Sequence, residues 1–143
     1  MALQVVFDTN VLIAALRSRR GASFALFARL GTPAAGYELH VSVPLVFEYE
    51  DVLRRQAPAL GLGAEAVDDV LDFVCAAAHH RQIFFLWRPA LRDPGDDMVL
   101  ELAVEAAADY LVTFNTRDFA GAERFGVCVI TPGELLRRLE GRS

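Results

Sequence analysis

Short apolar runs alternate along the chain with longer stretches in which apolar residues recur every three or four positions. The runs are typical of buried strands, and the longer stretches are typical of helices with one buried face. The runs predict strands at residues 5–7, 38–42, 82–86, 110–113 and 127–130. The longer stretches predict helices at residues 10–17, 22–30, 44–55, 64–79, 93–108 and 131–139. This alternation indicates an α/β fold, a parallel sheet with helices on both faces.

The length of the chain, 143 residues of which 54% are hydrophobic, predicts one domain over residues 1–143. Residues 57–63, 87–91 and 114–126 are predicted to connect its helices and strands. No apolar run approaches the roughly 18 residues that a membrane span needs, and the first strand begins without a signal peptide. Cys75 and Cys128 lie in apolar contexts that predict buried, reduced thiols. We therefore expect a cytoplasmic protein that does not enter a membrane.

The charge of the chain is acidic, with a formal net charge of −5. Taken alone, this value argues against a protein that wraps nucleic acid by neutralising its phosphates. All 14 basic residues are arginine, the better bidentate ligand for a phosphate, and the chain has no lysine.

The first strand leads directly into the polar residues Asp8, Thr9 and Asn10. In open parallel sheets, ligands bind outside the carboxyl ends of the strands, where Asp8 would lie. Any of the three residues could instead cap the following helix. Capping does not require an acid after a fully apolar strand, so we favour a catalytic or metal-binding role for Asp8.

Two of the predicted helices carry acids near their buried faces. On the third, Glu48 borders the apolar stripe, although an acid that merely extends from the edge of the stripe is equally ordinary. On the fifth, Asp96 is in line with Leu100, whereas Asp97 is expected to face outward. Asp96 could also serve the helix end, with Asp93 as the N-cap and Asp96 reaching back from the third position. Both roles of Asp96 remain open at this point.

A last polar cluster follows the fourth strand and contains Asn115 and Asp118. Asn115 capping a short turn is the alternative interpretation. Together, however, the acids predict a shared site, since crowded carboxylates raise one another's pKa unless a cation lies among them. Oxygen ligands without Cys or His select Mg²⁺ or Mn²⁺, and such a site suits the hydrolysis of a phosphodiester.

These residues resemble the PIN-domain nucleases and, within them, the VapC-like toxins of bacterial and archaeal toxin–antitoxin pairs. The resemblance covers nearly the whole chain. Four stretches carry it: Phe-Asp-Thr-Asn at 7–10, Phe-Glu-Tyr-Glu-Asp-Val-Leu at 47–53, Asp-Pro-Gly-Asp-Asp at 93–97, and Leu-Val-Thr-Phe-Asn-Thr-Arg-Asp-Phe at 111–119. It implies a three-layer α/β/α PIN-like domain with a five-stranded parallel sheet and its acids at one edge.

The resemblance also implies the roles of individual residues. The first three acids of the family match Asp8, Glu48 and Asp96, with Asp97 as the third acid if the register shifts by one. Many relatives have an aspartate where this chain has Asn115, which leaves Asp118 as the fourth acid.

The activity that the resemblance implies is that of a Mg²⁺- or Mn²⁺-dependent endoribonuclease. Its partners would be an RNA substrate, a small antitoxin protein and often a second copy of the chain. In this hypothesis the four acids hold the metal, and Asn10 and Asn115 orient water or phosphate. Four arginines could bind the RNA backbone, although each could equally belong to a solvated surface: Arg17, Arg19, Arg20 and Arg117.

Two further interpretations explain part of this pattern. Response-regulator receivers and haloacid-dehalogenase-like phosphatases also have an aspartate after their first strand, but each normally uses a lysine, which this chain lacks. The other is a catalytically weak or inactive PIN-like module that binds RNA or an antitoxin-like protein, as the neutral Asn115 suggests.

Overall fold

The computed structural model describes residues 1–83 and 94–141, and its strands form one five-stranded sheet in which all paired strands are parallel. The order across the sheet is β3-β2-β1-β4-β5. The strands are β1 (Leu3–Phe7), β2 (Tyr37–Val41), β3 (His79–His80), β4 (Tyr110–Val112) and β5 (Cys128–Ile130).

Helices fill the connections between the strands and complete the predicted three-layer α/β/α fold. They are α1 (Thr9–Arg17), α2 (Ala22–Ala28), α3 (Val43–Leu60), α4 (Ala64–Ala77), α5 (Pro94–Glu105) and α6 (Pro132–Glu140). Two 3-10 turns, Thr116–Phe119 and Ala122–Phe125, lie between β4 and β5. In the described part of the chain, no helix is long and apolar enough to cross a membrane.

The strand order has a reversal beside β1. The chain moves from β1 to β2 and then β3 in one direction, and it returns through α5 to β4 on the other side of β1. Since such crossovers are right-handed, α5 covers the face opposite to α1 and α3. The carboxyl ends of β1 and β4 therefore flank the switch point, where sheets of this kind form a crevice.

The central strands are the most buried part of the core. Val5 and Val6 of β1 and Leu111 and Val112 of β4 are each 0% exposed. Strands covered on both faces have apolar side chains in both directions, which explains their continuous apolar runs.

The third strand lies earlier than the apolar pattern predicts. β3 is His79–His80, α4 ends at Ala77, and the described residues Gln82 and Ile83 are outside any strand. The rest of the predicted strand and the predicted connector 87–91 lie outside the described residues. The position of β3 is set by its pairing with β2, where His40 opposes His79 and their rings stack. This pairing leaves no apolar signal in the sequence.

The predicted loop at residues 57–63 is wrong at its start, because α3 continues to Leu60. Pro58 lies inside the last turn of the helix. Ala57 is buried with the rest of the apolar face, and this packing outweighs the hydrogen bond that Pro58 cannot make. Gly61, with a φ of 71°, ends the helix in the left-handed conformation that glycine adopts without strain.

The prediction for Cys128 is also wrong. The side chain is exposed, whereas Cys75 on α4 is partly buried, and both are free thiols. Cys128 lies on β5, the edge strand, so it is open to solvent despite its apolar sequence neighbours.

Candidate active site

A cavity of about 630 Å³ lies at the switch point, beside the carboxyl ends of β1 and β4. Its wall is formed by α1, α3, the start of α5 and the segment after β4. The lining residues are Asp8, Thr9, Asn10, Ile13, Ala14, Arg17, Glu48, Val52, Gln56, Gly95, Asp96, Phe114, Asn115 and Asp118. The four acids proposed from the sequence therefore share one cavity.

Asp8 is held at the junction of β1 and α1. It is 8% exposed, and its backbone N–H donates to the carbonyl of Val112 over 2.9 Å, which continues the β1–β4 ladder. One carboxylate oxygen, Oδ1, accepts from the backbone N–H of Thr9 at 2.8 Å and so caps α1. The other, Oδ2, accepts from the Thr113 hydroxyl at 2.8 Å. Asp8 thus caps the helix and also lines the cavity, so the capping role does not exclude a catalytic or metal-binding role.

The carboxyl of Asp8 is electrostatically unfavourable in its ionised form. Burial raises its pKa, and the negative charges of Glu48 and Asp118 raise it further, whereas the hydrogen bonds from Thr113 and Thr9 oppose the shift. A cation in the cavity would relieve both the burial penalty and the repulsion between carboxylates.

Glu48 is brought to the cavity by the packing of α3 against β1. The hydroxyl of its neighbour Tyr49, which is 1% exposed, donates to the carbonyl of Phe7 over 2.5 Å. Burial raises the pKa of Tyr49 well above its usual value, so this hydroxyl stays a donor. Glu48 itself accepts from the Thr9 hydroxyl at 2.5 Å. The side chain is thus tied to the start of α1 and does not extend freely into solvent.

Asn10 connects α1 to the segment that follows β4. Its Nδ2 donates to the Thr113 hydroxyl oxygen at 3.3 Å and to Oδ2 of Asp8 at 3.4 Å. Its Oδ1 accepts from the backbone N–H of Phe114 at 3.3 Å. The amide of Asn10 therefore fixes the segment after β4 relative to Asp8.

Asn115 and Asp118 enter the cavity from the first 3-10 turn. Asn115 occupies the N-cap position of this turn, but its side chain makes no capping hydrogen bond. Its backbone N–H instead donates to the Thr113 hydroxyl oxygen at 3.0 Å. Asp118 is exposed, and the buried ring of Phe119 anchors the turn that carries it.

The start of α5 supplies Asp96, which is partly exposed in the cavity wall. The expectation that Asp97 faces outward is wrong, since Asp97 is 8% exposed. α5 buries Val99 and Leu100 as well as Leu102, so it is covered over more than one face and a single apolar stripe does not define its orientation. Asp93, the candidate N-cap, lies outside the described residues.

Arg17 is the one of the four candidate RNA-binding arginines that lines the cavity. It ends α1, and its guanidinium donates to Oε1 of Gln56 on α3 at 3.0 Å. Arg19, Arg20 and Arg117 are exposed and do not line the cavity.

The donor set fits a hard divalent cation, although the four acids do not converge on one point. Among the described residues, no three His, Cys, Asp or Glu side chains are close enough together to hold a metal ion. Mg²⁺ keeps several of its waters and is commonly held by one or two carboxylates. An ion in this cavity would fit that pattern, with the remaining acids acting through its waters.

Two threonines that organise the site were not identified from the sequence. Thr9 and Thr113, which are 7% and 0% exposed, orient Glu48 and Asp8 respectively. A signal was present for Thr113, which directly follows a fully apolar strand as Asp8 does. Only the pairing of Phe7 with Val112 shows that the residues that follow them, Asp8 and Thr113, are neighbours.

Comparisons with known proteins agree with this architecture. A model of the PIN domain matches residues 4–117. The chain belongs to the PIN domain family. No curated protein sequence matches it closely enough to count as a relative. Among solved structures, the chain is similar to one from the crystal structure of VapBC2 from Rickettsia felis bound to a DNA fragment from their promoter. The TM-score is 0.61 at 13% identity, over 90% of this chain and 98% of that chain, which indicates a shared fold.

Proposed function

We propose that this PIN-domain protein is a Mg²⁺- or Mn²⁺-dependent endoribonuclease and the toxin of a toxin–antitoxin pair. The single observation that carries the proposal is the cavity at the switch point, which Asp8, Glu48, Asp96 and Asp118 all line. The raised pKa of Asp8 supports it, because such a cluster is stabilised by a cation.

In this proposal the acids hold the ion and the threonines hold the acids. Asp8 and Glu48 are ligands whose orientation is set by Thr113 and Thr9, and Asp96 and Asp118 bind directly or through water. The ion would activate a water and stabilise negative charge on the phosphate. Asn115 presents a neutral amide that can donate to a phosphate oxygen. Asn10 keeps these segments in place, and Asp97 remains a buried neighbour of Asp96.

The basic side chains are assigned to the RNA backbone. Arg17 is about 13 Å along α1 from Asp8, at about 1.5 Å per residue, so it is suited to a phosphate away from the cleaved bond. Since its described hydrogen bond is to the neutral Gln56, its charge is available for an anion. Arg19, Arg20 and Arg117 are proposed to contact the RNA outside the cavity.

The proposed partners follow the family. The similar Rickettsia felis structure is a VapBC2 complex, and we propose a small antitoxin protein as the partner of this chain, with a second copy of the chain as a further one. We also propose that residues 1–143 act as one domain and that the protein works in the cytoplasm.

One observation favours a second candidate function, a weak or inactive module that binds RNA or an antitoxin-like protein. Asn115 supplies a neutral amide to the cavity where many relatives have an acid, and the remaining acid of this segment, Asp118, is exposed. Tight Mn²⁺ binding by the wild type without cleavage of any RNA would support this alternative.

The decisive test of the nuclease is Asp8→Asn beside the matched variant Asp109→Asn. Asp109 also contacts the central strands, where it accepts from the backbone N–H of Gln4 at 2.8 Å, but at their opposite ends. We expect Asp8→Asn to lower Mn²⁺-dependent RNA cleavage about a thousandfold or more, because metal stabilisation of the phosphate is worth several kcal/mol. Asp109→Asn should cleave like the wild type. Full cleavage by a folded Asp8→Asn protein would refute the assignment.

Calorimetry tests the metal site without any substrate. Mn²⁺ binding should be lost in both Asp8→Ala and Asp96→Ala, as expected for one shared site. If the wild type binds no Mn²⁺, the carboxylates are caps and surface charges, and the nuclease proposal fails.

A further inference from the structure

One aromatic ring lies in the wall of the acidic cavity instead of the core. Phe114 is 51% exposed, although burial would stabilise a ring of this size. Within residues 1–83 and 94–141, no aromatic ring stacks on it. Phe119, in the same segment, is 1% exposed. The segment can therefore bury an aromatic ring, yet it leaves Phe114 open at the cavity.

The backbone of Phe114 is fixed by the same hydrogen bonds that hold Asp8. Its N–H donates to Oδ1 of Asn10, and the residues on either side are joined by the bond from the Asn115 N–H to the Thr113 hydroxyl oxygen. The Thr113 hydroxyl in turn donates to Asp8. The backbone that carries the ring is thus held in place beside the acids. This reduces the conformational entropy that is lost when the ring binds a flat ligand.

We infer that Phe114 stacks on a nucleobase next to the cleaved phosphodiester and so positions the RNA strand in the cavity. The inference rests on the proposed nuclease function and adds a residue that contacts the substrate. Aromatic side chains stack on unpaired bases, whereas the faces of bases in a duplex are covered by their neighbours. The cavity then offers acids for the ion that would bind the phosphate, a ring for the base, and Arg17 for a further phosphate.

The first measurement is the affinity for a short, labelled single-stranded RNA in the Asp8→Asn background, where the RNA stays intact. We expect Phe114→Ala to weaken binding about 5- to 100-fold, the usual effect of losing one stacked base, and Phe114→Trp to retain it. The control is Phe125→Ala, which removes a ring of similar exposure, 40%, that does not line the cavity. Phe125→Ala should bind like its parent, and the affinity for duplex RNA should not depend on Phe114.

The second measurement removes single bases from the RNA, one position at a time. We expect one position at which removing the base weakens binding to the protein that keeps Phe114, by about the factor found for Phe114→Ala. Phe114→Ala itself should bind the intact RNA and this abasic RNA with equal affinity. Unchanged affinity in Phe114→Ala, or equal losses in both proteins at every position, would overturn the inference.

RNA cleavage and RNA binding are measured separately, so the nuclease function and the stacking contact can fail independently. If the wild type cuts no RNA with Mn²⁺ but binding still depends on Phe114, the nuclease function fails and the stacking contact stands. If the wild type cuts RNA and Phe114→Ala binds it equally well, the stacking contact is wrong and the nuclease function stands.

Discussion

Two polar clusters on the same sheet differ in how their charges are compensated. At the carboxyl ends of β1 and β4, Asp8 lies near Glu48 and Asp118, and no ion pair among the described residues involves these three acids. Burial raises the pKa of Asp8, and the charges of Glu48 and Asp118 raise it further. The cluster is therefore incomplete as a structural element and suited to bind a cation.

The second cluster lies on β2 and β3 and is balanced. Nδ1 of His40 accepts from Arg81 at 3.2 Å, so its Nε2 carries the proton and donates to Oε1 of Gln4 at 2.6 Å. Next to it, His79 pairs with Glu38 at 3.1 Å. His40 and His79 thus each have a partner of suitable charge or polarity within the protein.

This difference in charge compensation distinguishes polar groups that stabilise the fold from polar groups that bind a ligand. Groups whose partners are all within the chain stabilise the fold, whereas a cluster that leaves like charges together is typical of a functional site. Three predictions test this distinction.

The largest expected effect is that of Thr113→Val, which removes the hydroxyl that donates to Asp8 without opening a large cavity. We expect Mn²⁺ affinity and RNA cleavage to fall about 10- to 100-fold, as is usual when the partner of a metal ligand is lost. Thr131→Val is the control, because Thr131 caps α6 and does not line the cavity. It should lower the free energy of unfolding by about 1 kcal/mol and leave cleavage unchanged. Unaltered Mn²⁺ affinity in Thr113→Val would contradict the role of the hydroxyl.

A smaller effect is expected from two buried tyrosines that anchor different regions. The Tyr49 hydroxyl donates to the carbonyl of Phe7, and the Tyr37 hydroxyl donates to the carbonyl of Leu26, each over 2.5 Å. Either change to Phe should lower the free energy of unfolding in urea by about 1–2 kcal/mol. Tyr49→Phe should also reduce cleavage about tenfold, because α3 positions Glu48. If Tyr49→Phe cleaves RNA as fast as Tyr37→Phe does, the Tyr49 hydroxyl does not help to position the site.

The smallest effect concerns His40 in the balanced cluster. Burial lowers its pKa from the ordinary 6.5, and the charge of Arg81 lowers it further. As the pH falls below about 6.5, the unfolded chain takes up a proton that folded His40 resists, so the free energy of unfolding should fall. Above that pH the contribution is complete. Urea unfolding of wild type and His40→Asn from pH 5 to 7.5 measures it; parallel curves would contradict the prediction.

Much of the fold is predictable from the chain because buried strands need continuous apolar runs. Residues 5–7, 110–113 and 127–130 are strands within one or two residues of the prediction. Two features are not predictable from local pattern. β3 depends on the pairing of His79 with His40, and the continuation of α3 through Pro58 depends on the packing of Ala57.

The sequence by itself determined which residues could form the site. Asp8 and Asn115 each follow an apolar strand, and helical spacing selected Glu48 and Asp96. These are local properties, readable from neighbours along the chain.

Only the tertiary structure decided how those residues are held together. Thr113 and Asp8 meet because β1 and β4 are adjacent in register, although the two residues are 105 positions apart. Thr9 reaches Glu48 because α3 packs against the start of α1. The arrangement of the elements also buries Asp97 on α5 and leaves Phe114 after β4 exposed. Such contacts depend on which elements become neighbours, and that is settled by the whole core at once.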